Sequence, residues 1–306
     1  MQISLWYLNN TTFIILISHG KRQPHMSLIQ IGLVDKTKKI DPALLTAAAA
    51  ALNVQVIQDL PKYWPITATV QYLSEPTHIP VGTWPVFLVA SLPPGEGGFH
   101  MNKHKQPYAE VIASPESEEW TIDASHEIIE MLVDPYGNRM QTSQAIAIQG
   151  DDVVDAPGKF NYLVEAADPC EADSYTYSIQ GIAVSDFITP HFYDAGQVTG
   201  TNYSFTGAIK RPRQVLPGGY ISYVNLETNE WQQILWVDPN SPPTVKDLGT
   251  ATGASSLRIW VDNQMQKHHL SNEARASADR GLHEQLRVER AYLAKLASAH
   301  ASIYAR

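Results

Sequence analysis

The chain has 306 residues, 44% apolar and 17% charged, with a formal net charge of -9 and one cysteine. That is enough apolar material for a sizeable core without staples, and a lone Cys170 excludes an intrachain disulfide and suits a reducing, cytoplasmic setting. The acidic balance, with Lys and Arg scattered until the C-terminal tail, argues against a nucleic-acid surface.

Residues 1–25 differ from the rest and read as an N-terminal extension, with Met26 as the natural start. Their apolar run, 13–17, is too short to span a bilayer, and no membrane is expected. The competing reading is a short edge strand over 12–18. From Met26 the pattern is regular. Residues 28–34 predict a strand. Asp41-Pro42 is an N-cap with proline in the first turn, and the Ala-rich run to 52 is its helix. Strands are expected at 54–60, at the alternating 66–73 and at the continuous apolar run 84–90. Residues 92–100 are a turn-rich loop, which makes His100 and, a few residues on, His104 solvated loop histidines. A strand at 108–113 follows.

Residues 120–138, WTIDASHEIIEMLVDPYGN, predict one amphipathic helix with a hard stop. Asp123 can accept from free first-turn amides as N-cap. Ile128, Ile129, Leu132 and Val133 form an apolar stripe, and Pro135 disfavours helix at Asp134. His126 and Glu130 stand at i and i+4 on one side, with Glu127 about 100° round.

Further on, residues 144–149 predict a strand, and the acidic run 150–155 lacks the full spacing of a calcium loop and reads as solvated. Residues 160–173, FNYLVEAADPCEAD, predict a second helix ended by Pro169, carrying Glu165 and Asp168 at i and i+3, with Glu171 and Asp173 as competitors. A strand over 175–184 leads to His191 and Tyr193. Residues 196–236 look all-β, with strands at 203–208, 220–226 and 231–237 and a Pro-Gly-Gly break before the second. Residues 238–256 read as a linker, 257–261 as a last short strand, and 271–306 as an amphipathic helix suited to docking or oligomerisation, with His268 and His269 exposed before it.

The His126-Glu127-Ile128-Ile129-Glu130 run resembles the active helix of zincin metallopeptidases, whose motif is His-Glu-x-x-His. It departs at Glu130, where the family has its second histidine; a carboxylate adds negative charge and makes the metal a weaker Lewis acid. Glu165-Ala-Ala-Asp168 resembles the Glu-x-x-Asp pattern of gluzincins, in which a second helix supplies a Glu ligand and an Asp orients the first His. The resemblance implies an α+β fold: a zincin-like mixed sheet with an active helix over 26–195, its edge strand at 108–113 pairing with substrate. A β-rich region over 196–261 and a helical tail over 262–306 would follow.

It also implies Zn2+ or another divalent ion held by His126, Glu130 and one of Glu165 or Asp168, and a peptide or protein substrate. Glu127 would be the base that deprotonates the water held by the metal, and His191 or Tyr193 a donor to the oxyanion; His191 could equally replace Glu130 as a ligand. The SHEIIEMLVDP block is also similar to one in uncharacterised bacterial or phage proteins, a likeness that implies no activity. The alternative reading is a non-enzymatic, phage-type or assembly protein in which the same side chains form a structural metal site or a polar network. An open cleft beside Glu127 would favour hydrolysis; a buried, paired Glu127 would favour structure.

Overall fold

The computed structural model describes residues 5–8, 11–14, 28–93 and 97–267. Strands β1 (Leu5–Leu8) and β2 (Thr11–Ile14) form an antiparallel hairpin. The expectations for Met26, for His268 and His269 and for the tail beyond 267 lie outside the described residues.

The first sheet is mixed. It contains β3 (Ile29–Asp35), β4 (Ala68–Tyr72), β5 (Thr83–Val89), β6 (Gly98–Lys103) and β7 (Gln106–Ile112), in the order β4-β3-β5-β7-β6. All neighbours are parallel except β6, which runs antiparallel to β7 at one edge. Helix α1 (Pro42–Val54) connects β3 to β4 and buries Leu45, Ala48, Ala49 and Leu52. Its Asp41 cap accepts from Ala43 N at 2.8 Å. Asp41→Ala is expected to cost about 1 kcal/mol in chemical denaturation; no change would mean that water serves that amide as well.

The 54–60 stretch is not a strand. The helix runs on through a π-helical turn, Gln55–Asp59, and a short 3-10 turn, Leu60–Lys62. Gln55 decides this, because its fully buried amide donates to Ser185 O and Tyr177 OH and accepts from Ser125 Oγ. By length and composition Pro42–Lys62 could cross a membrane, but the buried face of α1 packs into this protein's own core.

Helix α2 (Trp120–Val133) lies against β6 and β7. It begins before Asp123, which sits in the first turn instead of capping it. The turn after Val133 leads into the second sheet, antiparallel throughout: β8 (Met140–Gln149), β9 (Asp152–Leu163), β12 (Tyr220–Asn225), β13 (Trp231–Leu235) and β14 (Thr244–Gly249), ordered β14-β13-β12-β9-β8. A small hairpin, β10 (Tyr177–Ile179) and β11 (Ile182–Val184), stands apart. The chain is thus α+β. One apolar core joins the two sheets, running from Ile31 and Leu33 through Ile128 and Ile129 to Tyr162, Ile221 and Ile234.

Several other expectations are corrected. The 160–173 stretch is not a helix: Phe160 and Tyr162 belong to β9, where Phe160 stacks on Tyr223 of β12 at 4.4 Å, and residues past Leu163 form a loop. The 175–184 strand is broken into the β10–β11 hairpin by Gln180-Gly181, both at positive φ, the backbone of a two-residue hairpin turn. Residues 203–208 give an isolated bridge, Ile188 to Ser204, and not a strand. The 238–256 linker contains β14, and 257–261 opens helix α3 (Leu257–Lys267). The acidic run 150–155 enters β9, where Asp152 and Asp155 pair with Arg211 and Arg213.

Candidate metal centre

Four pieces of chain converge on one buried polar centre. The first is α2. Its Thr121 Oγ1 donates to Ala183 O, and Ser125 Oγ bridges Gln55 and Ser185 N, so the helix is pinned along its length. His126, Glu127 and Glu130 project from this fixed helix, with Glu127 and Glu130 buried.

The second piece is β6. The turn-rich reading of 92–100 fails at 98–100, which open β6, while 92–93 and Gly97 are irregular. Gly98 lies in the strand because a Cβ there would come within 3.1 Å of Glu127, the close approach for which a strand glycine is suited. Two residues on, His100 is buried, not solvated, and its Nδ1 lies 3.2 Å from Glu127 Oε2 and 3.6 Å from Glu130 Oε2. His104 stays at the exposed β6–β7 turn. The edge strand of the sheet is therefore β6, and the expected edge at 108–113 is β7, which is interior.

The third piece is the loop after β9, carrying Glu165 and, in the 3-10 turn Asp168–Cys170, Asp168. Backbone bonds from Val164 N to Arg139 O and from Ile188 N to Ala166 O hold it. Gly219 of the Pro-Gly-Gly turn lets β12 close on it: a Cβ there would meet Asp168 O at 2.6 Å.

The fourth piece is α3. Gly137 O, in the turn after α2, accepts from Leu257 N and Arg258 N. Arg258 is thereby delivered, buried, into the centre, and its Nη1 lies 2.6 Å from Glu130 Oε2, 2.6 Å from Glu165 Oε2 and 2.7 Å from His100 Nδ1.

His126 Nε2 lies 3.3 Å from Glu130 Oε2 and 3.2 Å from Asp168 Oδ1. Of the centre's side chains it is the most accessible, at 12%. Burial alone would lower the His126 pKa, yet the Glu130 charge and the contacts with Asp168 and Glu130 lift it well above its ordinary value. Burial would raise Glu130, but His126 and Arg258 hold it well below. Burial pushes Glu165 and Asp168 well above the usual carboxylate range, and the charge of Glu130 pushes both further. Four carboxyl groups, Glu127, Glu130, Glu165 and Asp168, thus face one guanidinium and two histidines.

Two groups of three have ligand atoms within 4.8 Å of one another: His126, Glu130 and Asp168, and His100, Glu130 and Glu165. Asp168 Oδ1, Glu165 Oε1 and His100 Nε2 are buried with no hydrogen-bond partner among the described residues. The His126 contacts have the right size for an ion. A tetrahedral ion with bonds of about 2.0 Å sets its ligands about 3.3 Å apart, close to the two separations at His126 Nε2. Nitrogen with carboxylate oxygen is a donor set for zinc and its neighbours in the transition series.

Of the other predicted residues, Tyr193 is buried; burial and then the charge of Glu165 raise its phenol pKa well above the ordinary value, so the hydroxyl stays protonated. His191 belongs to neither group. Its imidazole is half exposed and bonded to Asp194 at 2.8 Å. Sequence reasoning missed Arg258 and Tyr220 and dismissed His100. Tyr220 lines a narrow crevice with Glu165, Asp168, Ser222, Arg258 and Asp262. Gly97-Gly98 before Phe-His was the available signal for His100; nothing local marks Arg258.

In comparison with known proteins, no family model, curated protein or solved structure matches the chain.

Proposed function

We propose that this protein is a divalent-metal-dependent hydrolase of zincin type acting on peptide bonds, with one zinc-class ion held by His126, Glu130 and Asp168. The observation that carries this reading is the convergence of three ligand atoms from α2 and the 165–168 loop within 4.8 Å of one another, the two separations at His126 Nε2 being 3.3 and 3.2 Å, with Asp168 Oδ1 otherwise unpartnered. A mixed sheet beside the His126 helix is also what the resemblance implies, although the edge strand on that side is β6 and not the expected 108–113. Bound there, the metal supplies Lewis acidity and lowers the pKa of water. Glu127, one residue from the first ligand, takes the proton, and His100 orients its carboxylate. Tyr193 and Tyr220 remain protonated and able to donate, since burial, then nearby carboxylates, raise both. His191 has no role in this scheme.

One observation favours a second reading. Glu127 is buried and bonded to His100, not facing an open cleft. In that reading the metal, or the polar network alone, ties α2, β6, the 165–168 loop and α3 together in a binding or assembly protein.

Elemental mass spectrometry of purified wild type and His126→Ala tests the metal. About one zinc per chain is expected, lost in the variant. No metal in either, with circular dichroism unchanged, would sink the metal centre and leave the network. One metal without hydrolysis of any peptide substrate would leave the structural metal.

A further inference from the structure

Arg258 Nη1 occupies the middle of the His100–Glu130–Glu165 group, and its contacts there exceed what a guanidinium nitrogen can supply. Nη1 carries two hydrogens, while two carboxylate oxygens and His100 Nδ1, an acceptor in one tautomer only, lie within 2.7 Å of it. The conflict deepens at His100. Its Nδ1 can donate to Glu127 or accept from Arg258, but both stand within reach, at 3.2 and 2.7 Å. Meanwhile Arg258 Nε has no hydrogen-bond partner among the described residues; Asp262 Oδ2 is 3.6 Å away. Glu165 Oε1 is also unpartnered and buried. A point cation that accepts lone pairs from all three ligands without supplying hydrogens would satisfy this geometry better than the guanidinium does.

We propose that His100, Glu130 and Glu165 form a second divalent-cation site, which shares Glu130 with the first and which Arg258 fills in the resting chain. The proposal rests on the first ion being held at His126, as argued above. Arg258 thereby sets the number of ions the centre holds; with Arg258 replaced, Glu130 would serve both ions. The ligands again combine imidazole nitrogen with carboxylate oxygen, which suits zinc or manganese.

Arg258 reaches the site on an element with its own small support. Helix α3 packs through Val261 into a minor apolar cluster with Leu163, Val224, Trp231 and Leu248, separate from the main core. The carbonyl of Gly137 and the side chain of Asn138 hold its first turn.

The test is the zinc stoichiometry of the full chain, stripped and then titrated with Zn2+ alone by calorimetry and elemental analysis. Wild type is expected to take one ion, Arg258→Ala two, and Arg258→Ala with His100→Ala one again. Arg258→Met, which keeps most of the side-chain volume, is run in parallel and is also expected to take two. One ion in both Arg258 variants, with the fold retained by circular dichroism, overturns the second site and leaves the first. Two ions that persist after His100→Ala overturn it as well. No ion in wild type but one in Arg258→Ala, lost on His100→Ala and kept on His126→Ala, would remove the first site and uphold the second. No ion in any variant overturns both.

Discussion

Glu127→Gln is expected to keep about one metal per chain and to lower peptide hydrolysis by roughly 10²–10⁴-fold, the range over which a positioned general base contributes. Glutamine has the shape of glutamate, so it fits the same slot against Gly98, where the Glu127 Cγ and Oε1 stand 3.1 Å from a would-be Cβ. What it loses is the basic carboxylate that takes a proton. Metal content separates this from a loss of ligands. His126→Ala should abolish both metal and activity, whereas Glu127→Gln should abolish activity alone. Casein and a mixed peptide library serve as substrates. A wild type that holds its metal but cleaves neither, indistinguishable from Glu127→Gln, would refute catalysis and favour the structural reading to which the Glu127–His100 contact points.

The elements read best from sequence were those with local signals. Asp41-Pro42 marked the start of α1, Pro135 marked the end of α2, and the apolar run at 84–90 is the middle strand β5. The misreadings share a cause: a local pattern compatible with two structures, decided by a distant partner. Residues 54–60 carry apolar side chains at mixed spacing, and the fully buried Gln55, bonded to Ser125 and Ser185, fixes them as helix. Residues 160–163 could be either, and stacking on Tyr223 of β12 makes them strand. The same holds for the centre. His126, Glu127 and Glu130 could be found because one helix turn brings them together. Arg258 lies 128 residues beyond Glu130, and the Gly137 turn, where a Cβ would come within 2.9 Å of Arg258 Cβ, helps to bring them together. No pattern within a window of the chain encodes such a meeting.

Removing the metal should reverse the direction in which stability depends on pH. In the metal-free chain His126 has a pKa raised above its unfolded value, so its contribution is fully present below about pH 6.5 and is lost as pH rises through the folded value. Glu165 and Asp168 are raised too. Above about pH 4 the unfolded chain has released these protons while the folded chain keeps them, so they also stabilise less as pH rises. Glu130 works the other way: its pKa is lowered, and its contribution is present at neutral pH and lost on acidification. Glu130 is ionised in both states across pH 5.5 to 8, so the other three groups predict a stripped protein that melts lower at pH 8 than at pH 5.5. A bound ion requires His126, Glu130 and Asp168 deprotonated, so its stabilisation grows over that interval. At a free zinc concentration a hundredfold above Kd the ion contributes about 2.7 kcal/mol, or roughly 5 °C in melting temperature for a chain of this size. Melting curves with chelator and with zinc should therefore lie together near pH 5.5 and separate by about that much at pH 8. A stripped chain whose melting temperature rises with pH would mean that Arg258 and His126 already compensate the four carboxylates without a dication. The buried charge itself, and not an ion, would then be what the centre is built to hold.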